Sequence, residues 1–435
     1  MTYWKAQKEQ HLRQLAHLFE GDPGGGKFNG QAQPFVLQAP EKNLFAPIRD
    51  GVLLYFNGHL PGADGRLRFW RSGGERVVAG HVCSLPTGHV LSSQVACLNH
   101  LFPLSRDGKA ATLLLQGLRP DMVEALPVGI HACDMFVEFE VTGGGSYLNE
   151  EQRGRSLTRG ANATSVDAVM KGRDAQGNIR LFLIEWKYTE SYPSKREKKP
   201  GSRGDNRLWR YRSFFTRDGS PFTFCNSDVG STFFEELLTE PYYQLMRQTL
   251  LGWKMTQDPS RNGQATSFTH IVVIPHGNTA LRSGCAVIAG RQGDLAGAWN
   301  ALVREPVLFL APEELLQPLT AQPDYARLLD YLCRRYWQDG RSRSQHTAFP
   351  SRPSGMKKGR PSRAVLVVFV TVRQPYRLAA TLRSRRASWL VKPDSLSYQM
   401  MSLAMVPSMT WVDRASTTPP WVLPLKSMET RGSSQ

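Results

Sequence analysis

Leu181-Phe182-Leu183-Ile184-Glu185-Trp186-Lys187 is an apolar run that ends in two charges separated by a tryptophan. Side chains alternate faces along a strand, so Glu185 and Lys187 share one side and Trp186 takes the other. An uninterrupted apolar run indicates a strand buried on both faces, and charges at the mouth of such a strand are seldom neutral decoration. Upstream, Thr164-Ser165-Val166-Asp167-Ala168-Val169-Met170 also reads as a strand, and Asp174-Ala175-Gln176-Gly177-Asn178 supplies the residues of a hairpin loop. A loop centred on Gln176 sets the register, because residues equally far from it face each other. Asp167 and Glu185 are such a pair.

Facing carboxylates repel by a few tenths to about 1 kcal/mol, and by more in a dry site. A hard divalent cation offsets this, since Mg²⁺ takes oxygen ligands from one or two carboxylates, water and phosphate. Lys187 beside them can orient or deprotonate a water, or neutralise charge on a phosphate. The pattern therefore points to metal-dependent phosphodiester hydrolysis. The competing reading is a solvated strand face, because Asp, Glu and Lys at this loose spacing also occur by chance.

Asp167, Glu185 and Lys187 together resemble the PD-(D/E)xK nuclease superfamily. The string Ile184-Glu185-Trp186-Lys187-Tyr188-Thr189-Glu190-Ser191-Tyr192, with Thr164-Ser165-Val166-Asp167-Ala168 before it, is similar to a bacterial group of restriction-endonuclease-like proteins. The resemblance runs from about Ser92 to Trp337. It implies an α/β fold with a mixed central sheet flanked by helices, Mg²⁺ dependence and a DNA substrate. One departure is Val166, which stands where the superfamily motif usually has proline.

Other residues extend this site. Pro241 to Leu251 reads as a helix with Leu245, Met246, Thr249, Leu250 and Trp253 on one side and Gln244, Arg247 and Gln248 opposite. In several groups of the superfamily a helix after the E-x-K strand carries such a glutamine near the site, which Gln244 and Gln248 resemble. The helix His89 to Leu104, with Ser92 as a candidate N-cap, contains no carboxylate. A further metal ligand must then come from elsewhere. Glu138 and Glu140 share a strand face and Glu150 follows a glycine-rich turn, making Glu140 and Glu150 the candidates and Glu150 the preferred ligand. His276 reads as a turn residue. Gly21 to Phe28 mimics a P-loop, but Phe28 stands where Ser or Thr would bind Mg²⁺, so this stretch is expected to be a flexible linker.

The net charge of +17 needs dividing before it is used. Residues 341–435 carry 16 Lys or Arg against 3 Asp or Glu, a net of +13, which leaves +4 for the first 340. Rich in Ser, Pro, Arg and Met, that basic tail is expected to be poorly ordered. It either adds non-specific DNA affinity through counterion release or has no role; composition does not separate these. Within the core, Pro193 to Arg212 holds eight basic and two acidic residues. Lys195, Arg196, Lys198, Lys199 and Arg203 form a candidate clamp on the DNA backbone, with Trp209, Tyr211, Phe214 and Phe215 as interleaved aromatics. A solvated loop anchored by aromatics is the alternative.

Six scattered cysteines show no metal-site spacing, and no apolar run approaches the roughly 20 residues of a membrane helix. The expectation is a soluble cytoplasmic protein with no membrane partner. Its divisions are an N-terminal region (1–85), a nuclease-like core (86–340) and the tail (341–435). Two functions follow: a Mg²⁺-dependent DNA endonuclease of restriction or defence type, or a non-catalytic DNA-binding protein on the same fold. A homodimer is among the oligomeric states the sequence leaves open.

Overall fold

The computed structural model describes residues 1–60, 69, 73–131, 134–150, 163–192, 202–215, 219–223, 236–283, 288 and 293–337. Within these, the longer helices are α1 (Tyr3–Arg13), α2 (Arg49–Phe56), α3 (Ser93–Leu101), α4 (Gly108–Leu118), α5 (Ser202–Arg212), α6 (Tyr242–Thr256) and α7 (Ala326–Arg335). A mixed sheet is built from β1 (Met122–Leu126), β2 (Val137–Val141), β3 (Val166–Asp174), β4 (Ile179–Trp186), β5 (Ser267–Val273) and β6 (Leu308–Leu310).

The β3–β4 hairpin is the centre of this sheet, and its register is the one that the loop chemistry dictates. Asp174 Oδ1 accepts the Gln176 and Asn178 amides at 3.0 and 2.8 Å, while Gly177 takes the left-handed backbone (φ 87°) that the turn requires. Every pair from Arg173 with Ile179 to Ala168 with Ile184 is equidistant from Gln176. β5 and β6 then add in parallel beyond β4, while β1 and β2 lie antiparallel to successive halves of β3.

Alternation along β4 divides the interior into two cores. Phe182, Ile184 and Trp186 pack into the layer that contains residues of α2, α3, α4 and α7. Leu181 and Leu183 face the layer of α5 and α6, with Tyr211, Tyr242, Leu245, Met246 and Trp299. Leu181, Phe182, Leu183 and Ile184 are fully buried, each contributing about 1.5–3 kcal/mol of transfer free energy. The same alternation directs Glu185 and Lys187 toward α6 and Trp186 away from it.

The N-terminal region shares the first of these cores, which runs from Leu15 to Tyr336 without a break in packing at residue 85. Asn43 ties the two ends together: its side chain donates to the Thr87 and His89 carbonyls, and its own carbonyl accepts from Asn99 and Arg335. The glycine stretch after Gly21 departs from the expected flexible linker. Asp22, 3% exposed, accepts the amides of Gly24, Gln38 and Ala39, and a Cβ at Gly24 would lie 2.2 Å from the Pro34 carbonyl oxygen. Glycine is used there for close packing. The tail from residue 341, including the expected strand at Val365–Val370, lies outside the described residues.

Candidate active site

The β3–β4 ladder runs up to Ala168 and Ile184, and the chemistry begins at the next pair. Asp167 Oδ2 accepts the Trp186 amide at 2.7 Å, so a carboxylate takes the place of the neighbouring strand's carbonyl. On the other side, β2 continues its pairing with β3 at Phe139 with Ala168 and Val141 with Val166, which places Glu140 opposite Asp167. Glu140 has a left-handed backbone (φ 56°), uncommon for a residue with a side chain and of the kind that clusters at functional sites. Glu140, Asp167 and Glu185 thus stand on three adjacent strands at one end of the sheet.

Their mutual repulsion bears most on Asp167. Burial, then the charge of Glu185, then that of Glu140 push its carboxyl well above the usual carboxylate range, against smaller opposition from Lys187 and the Trp186 amide. For Lys187 burial favours the neutral amine, but the Glu185 charge and lesser ones outweigh it and hold the ammonium well above its ordinary pKa. Lys187 is accordingly held as a charged hydrogen-bond donor in this setting.

α6 fixes the orientation of both groups. Lys187 Nζ donates to Glu185 Oε1 and to Gln244 Oε1, each at 2.6 Å, while Gln244 Nε2 donates to Glu185 Oε1 at 2.6 Å. One turn on, Gln248 Nε2 donates to Glu185 Oε2 and to the Ser165 carbonyl, and Gln248 Oε1 is buried without a partner. The two glutamines singled out in the sequence therefore both hold Glu185. A small cavity opens against Glu185 and Lys187, walled by Leu245, Val272, Ile274, Leu281 and Leu295. These apolar walls keep the local dielectric low and strengthen every charge interaction beside them.

Glu150, the preferred further ligand, is engaged elsewhere. Its Oε1 accepts from Thr164 Oγ1, Tyr211 and Arg247 at 2.6, 2.8 and 3.0 Å, and its Oε2 from the Thr164 amide at 2.6 Å. The chain needs a buried counter-charge for Arg247, and Glu150 supplies it. Glu140 is the residue brought to Asp167, bonded by Gln94 Nε2 of α3 at 2.5 Å. Gln94 was not singled out from sequence, because a lone glutamine in a helix that also carries Ser93, Asn99 and His100 gives no signal until its partner is known. Glu138 shares no site with Glu140: both its oxygens are taken by the Gly129 and His131 amides.

The string after Lys187 is structural support. Tyr188 donates its hydroxyl to Gln7 of α1 and bonds His11, Glu190 accepts the Tyr188 amide, and Asn278 donates to the Tyr188 and Glu190 carbonyls. Of the proposed clamp, Arg203 falls on α5, while Lys195, Arg196, Lys198 and Lys199 lie outside the described residues. His276 faces Glu314 at 3.2 Å, away from this site.

The family model of restriction endonucleases associating with ARP matches residues 64–337, which span the whole sheet and every residue of this site. The chain belongs to that family. Comparison with curated proteins and with solved structures finds no match to either. Membership fixes a restriction-endonuclease-like protein and points to a nuclease or defence role with DNA as substrate. No helix among the described residues is long and apolar enough to cross a membrane.

Proposed function

We propose that the chain is a Mg²⁺-dependent DNA endonuclease of the PD-(D/E)xK kind, with Asp167 and Glu185 as metal ligands and Lys187 acting on the attacking water or the scissile phosphate. The observation that carries this reading is the convergence of Asp167, Glu185 and Lys187 at one sheet end, with two glutamines holding the glutamate. Among the described residues no three of His, Cys, Asp or Glu cluster at metal-ligand spacing. The donor set nevertheless suits Mg²⁺, which is often bound by two carboxylates with water and phosphate completing its shell. The raised pKa of Asp167 supports the fit, since a dication relieves the repulsion that produces it.

When bound, such an ion lowers the pKa of a water and neutralises phosphate charge. The chain's own residues do the rest. Asp167 must be ionised to serve as a ligand, so cleavage should rise with pH as its proton is lost. Lys187, kept charged by Glu185, donates to a phosphate oxygen or holds the attacking water by hydrogen bonding. Gln244 keeps the ammonium and the carboxylate at a fixed separation.

The deciding experiment measures cleavage of plasmid DNA with Mg²⁺ by the native chain, Asp167→Ala and Lys187→Ala. The native chain should cut, Lys187→Ala should lose roughly 100- to 1000-fold in rate, and Asp167→Ala should lose all detectable cutting. Cleavage that survives both substitutions would overturn the assignment. DNA binding by the native chain with no cutting under any divalent ion would instead identify a non-catalytic binder.

A further inference from the structure

The aromatic residues of the basic segment part company in the fold. Tyr211, Phe214 and Phe215 are 0%, 1% and 3% exposed and belong to the core, whereas Trp209 is 80% exposed. Trp209 thus offers an open indole face with a polar N–H tip, the kind of side chain enriched at binding interfaces. Asn206 and Arg212, each one turn from Trp209, are exposed on the same side of α5.

The opposite side of α5 is moored to the catalytic end of the sheet. Tyr211 donates to Glu150 at 2.8 Å, and Glu150 pairs at 3.0 Å with Arg247, which is one turn from Gln244 and next to Gln248 on α6. The Arg207 guanidinium lies 5.8 Å over the Tyr243 ring of α6, and the Asn149 side chain donates to the Arg210 carbonyl. Trp209 is therefore displayed on a helix joined to the site through the Tyr211–Glu150 and Glu150–Arg247 contacts. The sequence of α5 carries four arginines, Arg203, Arg207, Arg210 and Arg212, against the single acid Asp205, so the partner that complements it is a polyanion.

We propose that Asn206, Trp209 and Arg212 form a contact surface for single-stranded DNA, with Trp209 stacked on an unpaired base and Arg212 on the adjoining phosphate. An indole face can stack on a base only where that base is free of its neighbours, as in a single strand or a frayed end. A paired duplex offers its edges and phosphates instead. The inference rests on the endonuclease reading and adds to it a preference for substrates with unpaired bases near the cut.

The test uses the full chain in EDTA, so that nothing is cleaved, with fluorescein-labelled 20-mer single strands and blunt duplexes read by anisotropy. Trp209→Ala should weaken single-strand binding by roughly 5- to 150-fold, the range of one lost base–aromatic stack, while duplex affinity changes far less. Trp209→Phe should recover most of the loss, and Arg212→Gln should flatten the salt dependence by about 0.7. Circular dichroism of each variant should match the native chain, because the substituted side chains face water. If the native chain binds single strands and Trp209→Ala binds them equally well, this surface is wrong and the endonuclease reading is untouched. Equal loss on duplex and single strand would also overturn the preference. A native chain that binds neither DNA in EDTA, nor with Ca²⁺ in its place, would sink the endonuclease reading itself.

Discussion

Glu185 shows how one residue can be legible in sequence while its neighbours are not. Its place beside Lys187 follows from strand alternation, and its place beside Asp167 from a hairpin loop with a strong turn signal. Its hydrogen bonds from Gln244 and Gln248 depend on where α6 docks. Glu138 is the converse case: it reads as a surface acid yet is fully buried, and burial pushes its carboxyl up to about 7, opposed by the His131, Gly129 and Ile130 amides and by Lys171. A carboxyl whose pKa is higher folded than unfolded binds more protons when folded between those values. Stability should therefore fall as pH rises from the usual glutamate range through about 7. The group's contribution is roughly 3 kcal/mol at most. Urea denaturation at pH 5 and pH 8 should show this drop in the native chain, and Glu138→Gln should remove it. An equal drop in both proteins would contradict the assignment.

At the scale of the element, α6 does two jobs on adjacent faces. Leu245, Met246, Thr249 and Leu250 are buried as the helical period requires, but Gln248 on the other side is equally buried. The polar side that the sequence reading set near the site closes over the end of the sheet. We predict that Gln248→Leu weakens Mg²⁺ binding by roughly 10- to 100-fold, the usual cost of losing a group that orients a ligand. Isothermal titration calorimetry would measure it, and unchanged affinity would remove Gln248 from the site. Arg247 of the same helix anchors Glu150 and Thr164, just before the strand that carries Asp167. Arg247→Met leaves Glu150 buried without its counter-charge and should cost about 3–5 kcal/mol. Chemical denaturation at pH 7 tests this; a loss under 1 kcal/mol would show that the pair is dispensable.

Across the whole molecule, the first and last described segments close on each other around Arg335. This guanidinium is fully buried and, among the described residues, pairs with no carboxylate; it donates to the Asn43 backbone and side-chain oxygens and to the Tyr331 hydroxyl, and lies 4.7 Å from the ring centroids of both Phe19 and Tyr336. Asn43→Ala removes an acceptor from a buried cation and frees the Thr87 and His89 carbonyls. The expected cost is about 3–5 kcal/mol, within a single cooperative unfolding transition. Two separate transitions in thermal unfolding of the native chain would show instead that the N-terminal region folds apart from the sheet.

Local chemistry alone determined the β3–β4 hairpin, its register, the face shared by Glu185 and Lys187, and the helix bearing Gln244 and Gln248. Each follows from spacing within a few residues, through turn conformation, strand alternation or helical period. Tertiary structure alone decided that Glu140 sits opposite Asp167 while Glu150 pairs with Arg247, and that Trp209 is exposed while Tyr211 and Phe214 are core. Those outcomes depend on which strands become neighbours and which helix covers them. Charges and aromatic rings look alike along a chain until packing assigns each one a partner or leaves it to solvent.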